Sequence, residues 1–414
     1  ARIDAGGSTI PMEVADGAWG GAIEGVYLDI PLTTVKTLSD GTHDLFVRGR
    51  DAAGNWGEWQ STVLTVDRTG PAVGALTLTP NPTNGAATVT LTGTVDLNDP
   101  SGVDRVEYFV GKDPGVGQGT AISPASDGTF MVVVDLTPYD EGDYTVTVRA
   151  IDNLGNRASA ASQLHLVPAL WFSTSGNTNP PGLTNGDDAD IYNWTGTHFG
   201  RTVDASANPY NLPANGGGNA NVDGFSRVDG THFYVSFTGQ VYVDGLGNVQ
   251  DEDVVFWNSN HWEMFFDGSA NGNGLGGTTN STSFDLDAIS VVGGQLYFST
   301  DNGNLPSGAG GSGDDADIYR WNPGQTPRYT RVIDASGAGS IGLPSSANVD
   351  GFVWRSTTDW YMSFAGTTTT VTGLGSVQDE DVVERNAGVW SVYFDGTSRG
   401  LTNNNEDVDA FDIP

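Results

Sequence analysis

The feature that most constrains this chain is a pattern that returns about every 63 residues through its C-terminal part. Four D-x-D pairs, Asp188/Asp190, Asp251/Asp253, Asp315/Asp317 and Asp379/Asp381, begin 63, 64 and 64 residues apart. A second element keeps step with them: Asn221-Val-Asp-Gly-Phe225, Asp285-Leu-Asp-Ala-Ile289, Asn348-Val-Asp-Gly-Phe352 and Asp407-Val-Asp-Ala-Phe411. Its central residues Asp223, Asp287, Asp350 and Asp409 step by 64, 63 and 59. Three of these segments lead through a turn into an aromatic strand, and the fourth runs into the end of the chain. Conversely, Leu170-Trp-Phe-Ser-Thr174 is an aromatic strand with no Val-Asp strand ahead of it. The two orphans fit each other, so residues 407–413 are expected to pair with 170–174. Repeats of this length are supersecondary units that bury a core only by stacking on their neighbours.

The strands themselves are read from period-two, β-branched runs such as ATVTLTGTV (87–95) and YTVTVRA (144–150), with no amphipathic helix pattern of three turns anywhere. The expected fold class is therefore all-β. Each repeat supplies four strands: Val-Asp-(Gly/Ala), the aromatic strand, the strand after D-x-D, and an outer strand. Four such sheets arranged radially make a four-bladed β-propeller over about 170–414, closed by the C-terminal strand. Units one and three read Asp-Asp-Ala-Asp-Ile-Tyr and units two and four Val-Gln-Asp-Glu-Asp-Val-Val, which adds an approximate two-fold within the four-fold.

An earlier repeat spans a different length. DGTHDLFVRGRDAAGN (40–55) aligns with EGDYTVTVRAIDNLGN (141–156) at an offset of 101 residues, each a strand running into a D-x-x-G-N turn. These segments resemble bacterial Ig-like domains of the kind strung along secreted and cell-surface proteins. The resemblance implies two β-sandwiches, 1–67 and 72–167, joined by Asp67-Arg-Thr-Gly-Pro71. The first is short for a sandwich of about 100 residues. It reads either as a trimmed or minimal sandwich or as a groove that another chain's strand completes. Further on, FDLDAISVVGGQLYFS (284–299) with Ile318-Tyr-Arg-Trp321 resembles a blade of the hemopexin-like four-bladed propeller. That resemblance implies inner strands lining a tunnel that holds ions. This chain lacks the family's closing disulfide and inserts long Gly/Asn loops.

Charge narrows the function classes. With 17 Lys+Arg against 51 Asp+Glu, the formal net charge is −34, so nucleic acid and anionic membranes are poor partners. The acids alternate with apolar runs and 10% aromatics, which is the composition of a folded chain rather than a disordered acidic tail. Zero Cys removes disulfides, thiol catalysis and zinc-thiolate sites. No apolar run reaches about 18 residues and no basic-apolar leader opens the chain, so a mature extracellular or cell-surface protein without membrane insertion is expected.

The chemistry expected is metal ligation. Residues i and i+2 of a strand face one side, so each D-x-D would aim two carboxylates at one spot. The four central aspartates would meet around a narrow axis, where like charges about 4–6 Å apart repel strongly. With Lys36 and Lys112 the only lysines, a hard cation is the natural counter-ion, and Ca²⁺, in one or several copies, suits an all-oxygen set. The candidate ligands are Asp188, Asp190, Asp223, Asp251, Asp253, Asp287, Asp315, Asp317, Asp350, Asp379, Asp381 and Asp409. The alternative is a turn-capping or solvated role for these acids. Gly396-Thr-Ser-Arg-Gly400 matches G-x-S-x-G, but no histidine follows it, and the five histidines show no ligand spacing. No catalytic residue is assigned. The function expected is a non-enzymatic structural or adhesive protein, associating with itself or another surface protein. The alternative is a glycan-binding or glycan-cleaving propeller, although the eight tryptophans between 171 and 390 are expected to pack between blades.

Overall fold

Alternating apolar and polar side chains can bury one face of an extended chain, and these runs do form strands. The structure, a computed structural model, describes residues 1–213, 220–270, 275, 284–335, 341–402 and 405–414. It is all-β, with 43% of residues in strands against 2% in helices, divided among several separate sheets. None of the described helices is long and apolar enough to cross a membrane.

The chain divides into two units. One holds Ala1–Asn81, Val89–Val134 and Asp143–His165, and the other Pro82–Thr88, Asp135–Gly142 and Leu166–Pro414. In the first unit, Arg2–Ile3, Gly41–Val47 and Gln60–Val66 make a three-stranded antiparallel sheet, accompanied by a small hairpin (Glu13–Val14, Val26–Tyr27) and a four-residue helix, Leu32–Val35. Within residues 1–67, Ile3 and Val66 are the buried apolar residues. The remainder of this unit has a three-stranded sheet (Thr129–Asp135, Thr88–Thr94, Thr77–Thr79) and a four-stranded sheet (Arg157–Leu166, Gly142–Asp152, Val103–Val110, Thr120–Ile122). Burial alternates along these strands, so each sheet covers one face.

Segments 82–88 and 135–142, expected to belong to the second sandwich, cluster instead with residues 166–414. Hydrogen bonds within this unit explain it. Thr83 Oγ1 both donates to the Val167 carbonyl and accepts its N–H, at 2.9 and 2.8 Å. The Glu141 carboxylate accepts from Trp171 Nε1 and Thr202 Oγ1 and pairs with Arg227 at 2.9 Å.

The second unit contains four four-stranded antiparallel sheets. The first is Val408–Asp412, Leu170–Thr174, Ile191–Trp194, Phe199–Val203; the second Val222–Asp229, His232–Phe237, Val254–Asn258, Trp262–Phe266. The third is Ile289–Val292, Gln295–Phe298, Ile318–Trp321, Tyr329–Ile333; the fourth Gly351–Ser356, Asp359–Ser363, Val382–Asn386, Val389–Phe394. The last strand pairs with Leu170–Thr174 in the register Trp171↔Asp412 and Phe172↔Phe411, as the two orphan segments require.

Backbone hydrogen bonds join each sheet to the next. Val222 N donates to Asp188 O, Leu286 N to Asp251 O, Val349 N to Asp315 O and Val408 N to Asp379 O, all at 3.0–3.1 Å. The fourth bond returns from the last sheet to the first. Four apolar clusters follow the same order, each filled from two successive sheets: one around Trp171, Phe225 and Trp257, one around Phe266, Phe298 and Tyr329, one around Ile333, Phe352 and Trp390, and one around Phe394, Phe172 and Phe411.

The Gly/Ala alternation after each central aspartate has a steric cause. A Cβ on Gly351 would lie 2.5 Å from Phe411 Cδ1 and 2.5 Å from Ser363 Oγ, whereas the equivalent positions Ala288 and Ala410 accommodate a methyl. Gly351→Ala is therefore expected to destabilise the second unit by about 1–3 kcal/mol, read as a lower urea midpoint at unchanged m-value.

Candidate metal centre

The Val-Asp or Leu-Asp element lies at the start of the inner strand (Asp223, Asp409) or just ahead of it (Asp287, Asp350), and the four aspartates come near enough to act on one another electrostatically. They are 4%, 7%, 5% and 7% exposed. Burial is the main force raising the carboxyl of each, Asp287 to about 8 and the other three well above the ordinary range. The charges acting on them reinforce this, and all are carboxylates: Asp287, Asp350 and Asp409 on Asp223, and Asp407 with Asp379 on Asp350. Two residues earlier, ahead of these strands, stand Asn221, Asp285, Asn348 and Asp407. Burial followed by the Asp251 charge raises Asp285 to about 8.

Several oxygens in this group are buried without a hydrogen-bond partner: Asp287 Oδ2, Asp409 Oδ2, Asp285 Oδ1, Asn221 Oδ1 and Asn348 Oδ1. A buried acceptor left unpaired costs about 1–3 kcal/mol. Acceptors without donors are what a cation relieves, and a mixed carboxylate and amide oxygen set fits Ca²⁺ better than Zn²⁺. The four central carboxylates do not meet the spacing of a compact three-acid site, in which one oxygen from each lies within 4.8 Å of the others. A cation among them would therefore draw on amide oxygens, backbone carbonyls or water as well.

The D-x-D pairs are placed differently from the expectation. They lie in turns before the third strand of each sheet, not in strands, and their two members part company. The second member caps the local backbone in every unit. Asp190 accepts from the N–H of Asp187 and Ala205, Asp253 from Gln250 and Gly268, and Asp381 from Gln378 and Gly396, at 2.9–3.2 Å. Asp317 accepts from Ala335 N and is paired with Arg331 at 2.9 Å. Burial raises Asp190 to about 7 and Asp253 to about 6. The first members Asp188, Asp251, Asp315 and Asp379 carry the inter-sheet carbonyls described above, and Asp188 and Asp379 act electrostatically on the central group. The two-fold alternation is chemical: Arg201 and Arg331 reach the capping aspartate in units one and three, while Glu252 and Glu380 stand beside it in units two and four.

A set that the sequence reading did not single out lies in the first unit. Asp67, Asp99 and Asp152 each bring one oxygen within 4.8 Å of the others. Asp67 opens the linker and Asp152 the D-x-x-G-N turn, so the available signal was three aspartates at the ends of neighbouring turns. Ser101 Oγ and the Asn156 amide donate within this group, and Asp152 accepts from the N–H of Leu154 and Asn156. Of the G-x-S-x-G match, Ser398 sits in a short 3-10 turn with its hydroxyl donating to the Asp395 carbonyl at 2.9 Å.

No family model matches the chain, and no curated protein matches it. Among solved structures it is similar to the extracellular domain of a one-component system of B. thetaiotaomicron, at 13% identity and a TM-score of 0.24, over 57% of this chain and 35% of that one. It is also similar to the extracellular domain of a hybrid two-component system of the same organism, at 12% identity and a TM-score of 0.19, over 80% of this chain and 38% of that one. The chain thus spans well under half the length of either.

The raised carboxyls set the sign of the pH dependence without metal. Between pH 4 and about 8 the unfolded chain has released these protons while the folded chain holds them, so stability falls as pH rises. In chelator, the melting temperature of the second unit is expected to be higher at pH 5 than at pH 8. Saturating Ca²⁺ should flatten or reverse this trend, measured by calorimetry at both pH values.

Proposed function

We propose that the chain is a non-enzymatic extracellular protein of structural or adhesive type. In this reading two Ig-like modules precede a four-bladed β-propeller, loosely hemopexin-like, whose axis binds Ca²⁺. The observation that carries the proposal is the set of four inter-sheet hydrogen bonds, the fourth returning to the first sheet, beside buried carboxylates that pair with no cation among the described residues. A radial set of four-stranded sheets accounts for the cycle, and a divalent cation accounts for the carboxylates. Extracellular Ca²⁺ modules bind in about the 10⁻⁴–10⁻³ M range, an affinity that a site of splayed ligands would suit.

Self-association is supported by the first unit. Residues 1–67 bury little apolar surface, and Thr129–Asp135 is an edge strand that leaves Met131 73% and Val133 63% exposed. An edge strand whose exposed side chains are largely apolar, with a charge only at its end in Asp135, is a template for another strand. A second copy or another surface protein is the partner this supports.

Chelation is expected to lower the melting temperature of the second unit by about 5–10 °C. Asp287→Asn with Asp409→Asn should abolish the Ca²⁺ response, while Asp253→Asn should lower stability yet keep the response. Equal melts with and without Ca²⁺ in the unaltered protein would refute the metal assignment. For association, sedimentation of the unaltered chain should reveal oligomers that Met131→Lys with Val133→Lys disperses at unchanged melting temperature. A purely monomeric chain would refute that part.

A further inference from the structure

The four repeats agree at the acidic end of the inner strands and diverge at the other end. Three residues beyond the central aspartates stand Ser226, Ser290, Val353 and Asp412; four beyond, Arg227, Val291, Trp354 and Ile413; five beyond, Val228, Val292, Arg355 and Pro414. All twelve line one cavity of about 470 Å³. This is within the usual range of small-ligand sites, about 300–1,000 Å³. Part of this end does repeat, since Ser226, Ser290 and Asp412 each accept the N–H of the residue four beyond the central aspartate of the next repeat, Val291, Trp354 and Arg227. A ligand site on a symmetric frame needs the symmetry to be broken, and here it is broken by one tryptophan and two arginines.

The tryptophans of the second unit mostly pack between sheets: Trp171, Trp257, Trp262, Trp360 and Trp390 are all buried. Trp354 is half-buried and lines the cavity. Tyr297 stacks on it at 4.6 Å between ring centroids and 12° between planes, which fixes the indole and covers one of its faces. Beside it the exposed Arg355 donates through Nη2 to the carbonyls of Ile413 and Pro414 and forms no ion pair among the described residues, so Nε and Nη1 remain to donate. Asp412 accepts from Arg227 N at 2.5 Å and Ile413 N at 2.7 Å, one bond to each oxygen, and each keeps accepting capacity. The hydroxyls of Ser226 and Ser290 accept the N–H of Val291 and Trp354, leaving their own protons to donate. Arg227 is held against the Trp171 ring at 4.0 Å and by Glu141.

We infer that this cavity binds a neutral hexose unit of a glycan. A pyranose offers an apolar C–H face to a fixed indole and vicinal hydroxyls to a carboxylate and a guanidinium, which are the groups gathered here. Neutral rather than acidic sugar follows from charge: the two arginines are matched by Asp412 and Glu141, in a chain of formal charge −34. The inference is independent of the Ca²⁺ reading, which concerns the opposite ends of the same strands.

The test is calorimetric and saturation-transfer titration of the full chain, in Ca²⁺, with the methyl glycosides of glucose, galactose and mannose and with methyl glucuronide and galacturonide. At least one neutral glycoside should bind saturably, about tenfold or more weakly to Trp354→Ala and to Arg355→Ala, and unchanged to Trp19→Ala. Should Trp354→Ala lower the melting temperature, the exposed Arg355→Ala decides. Absence of saturable binding, binding indifferent to both variants, or preference for the uronides would each overturn the inference. None of those results would alter the chelator melt, so the two readings fail separately.

Discussion

The pairing of Val408–Asp412 with Leu170–Thr174 is the constraint on which the second unit depends. It is a four-stranded sheet assembled from the two extremes of that unit, reinforced by Ala410 N donating to Ser173 Oγ at 3.0 Å across 237 residues. Without it the first sheet would have three strands, the aromatic cluster of Phe172, Phe394 and Phe411 would lose a wall, and Asp379 would have no N–H to receive. The other three sheets are each built from strands of a single repeat, two of them with a small hairpin (Val241–Val243 with Gly247–Val249, Thr369–Val371 with Gly375–Val377) between their second and third strands, and need no such return. This non-local pairing and the bond from Val408 N to Asp379 O link the last of the four sheets back to the first.

Convergence of four inner strands has an electrostatic cost that the fold does not offset with its own cations. Every repeat keeps the central aspartate, and among the described residues none supplies an arginine to it. The arginines go elsewhere: Arg201 and Arg331 to the capping aspartates, Arg227 to Glu141. Thus the chain separates two uses of the same side chain. One aspartate per unit is satisfied by backbone N–H groups and holds a turn. Another is buried among its equivalents, and Asp287 and Asp409 keep a buried oxygen without a hydrogen-bond partner.

Much of this was readable before any coordinates. The spacing of the Val-Asp elements gave the strand order of each sheet and the partner of the last strand, because both followed from counting which strands lacked a neighbour. The central aspartates were found for the same reason. The D-x-D pairs were placed on strands by their i, i+2 spacing, and the structure puts them in turns; two residues of separation fix a common face only if the backbone is extended, and the preceding Asp187, Gln250, Asp314 and Gln378 begin turns instead. The Asp67, Asp99 and Asp152 group escaped notice because its members come from three separate turns. Segments 82–88 and 135–142 cluster with the second unit, and hydrogen bonds such as those of Glu141 and Thr83 leave no periodic signature in the sequence.

The dependence of the first sheet on residues 408–412 also bears on how the protein is made. During vectorial synthesis, Leu170–Thr174 leaves the ribosome well before its edge partner exists, and that edge stays open until residues 408–412 emerge. The neighbouring sheets can form in the meantime, but the cycle locks only after translation has passed residue 412. Newly made chains at high local density would then offer one another the same vacancy, so exchange of the last strand between nascent copies is the characteristic misassembly this topology invites.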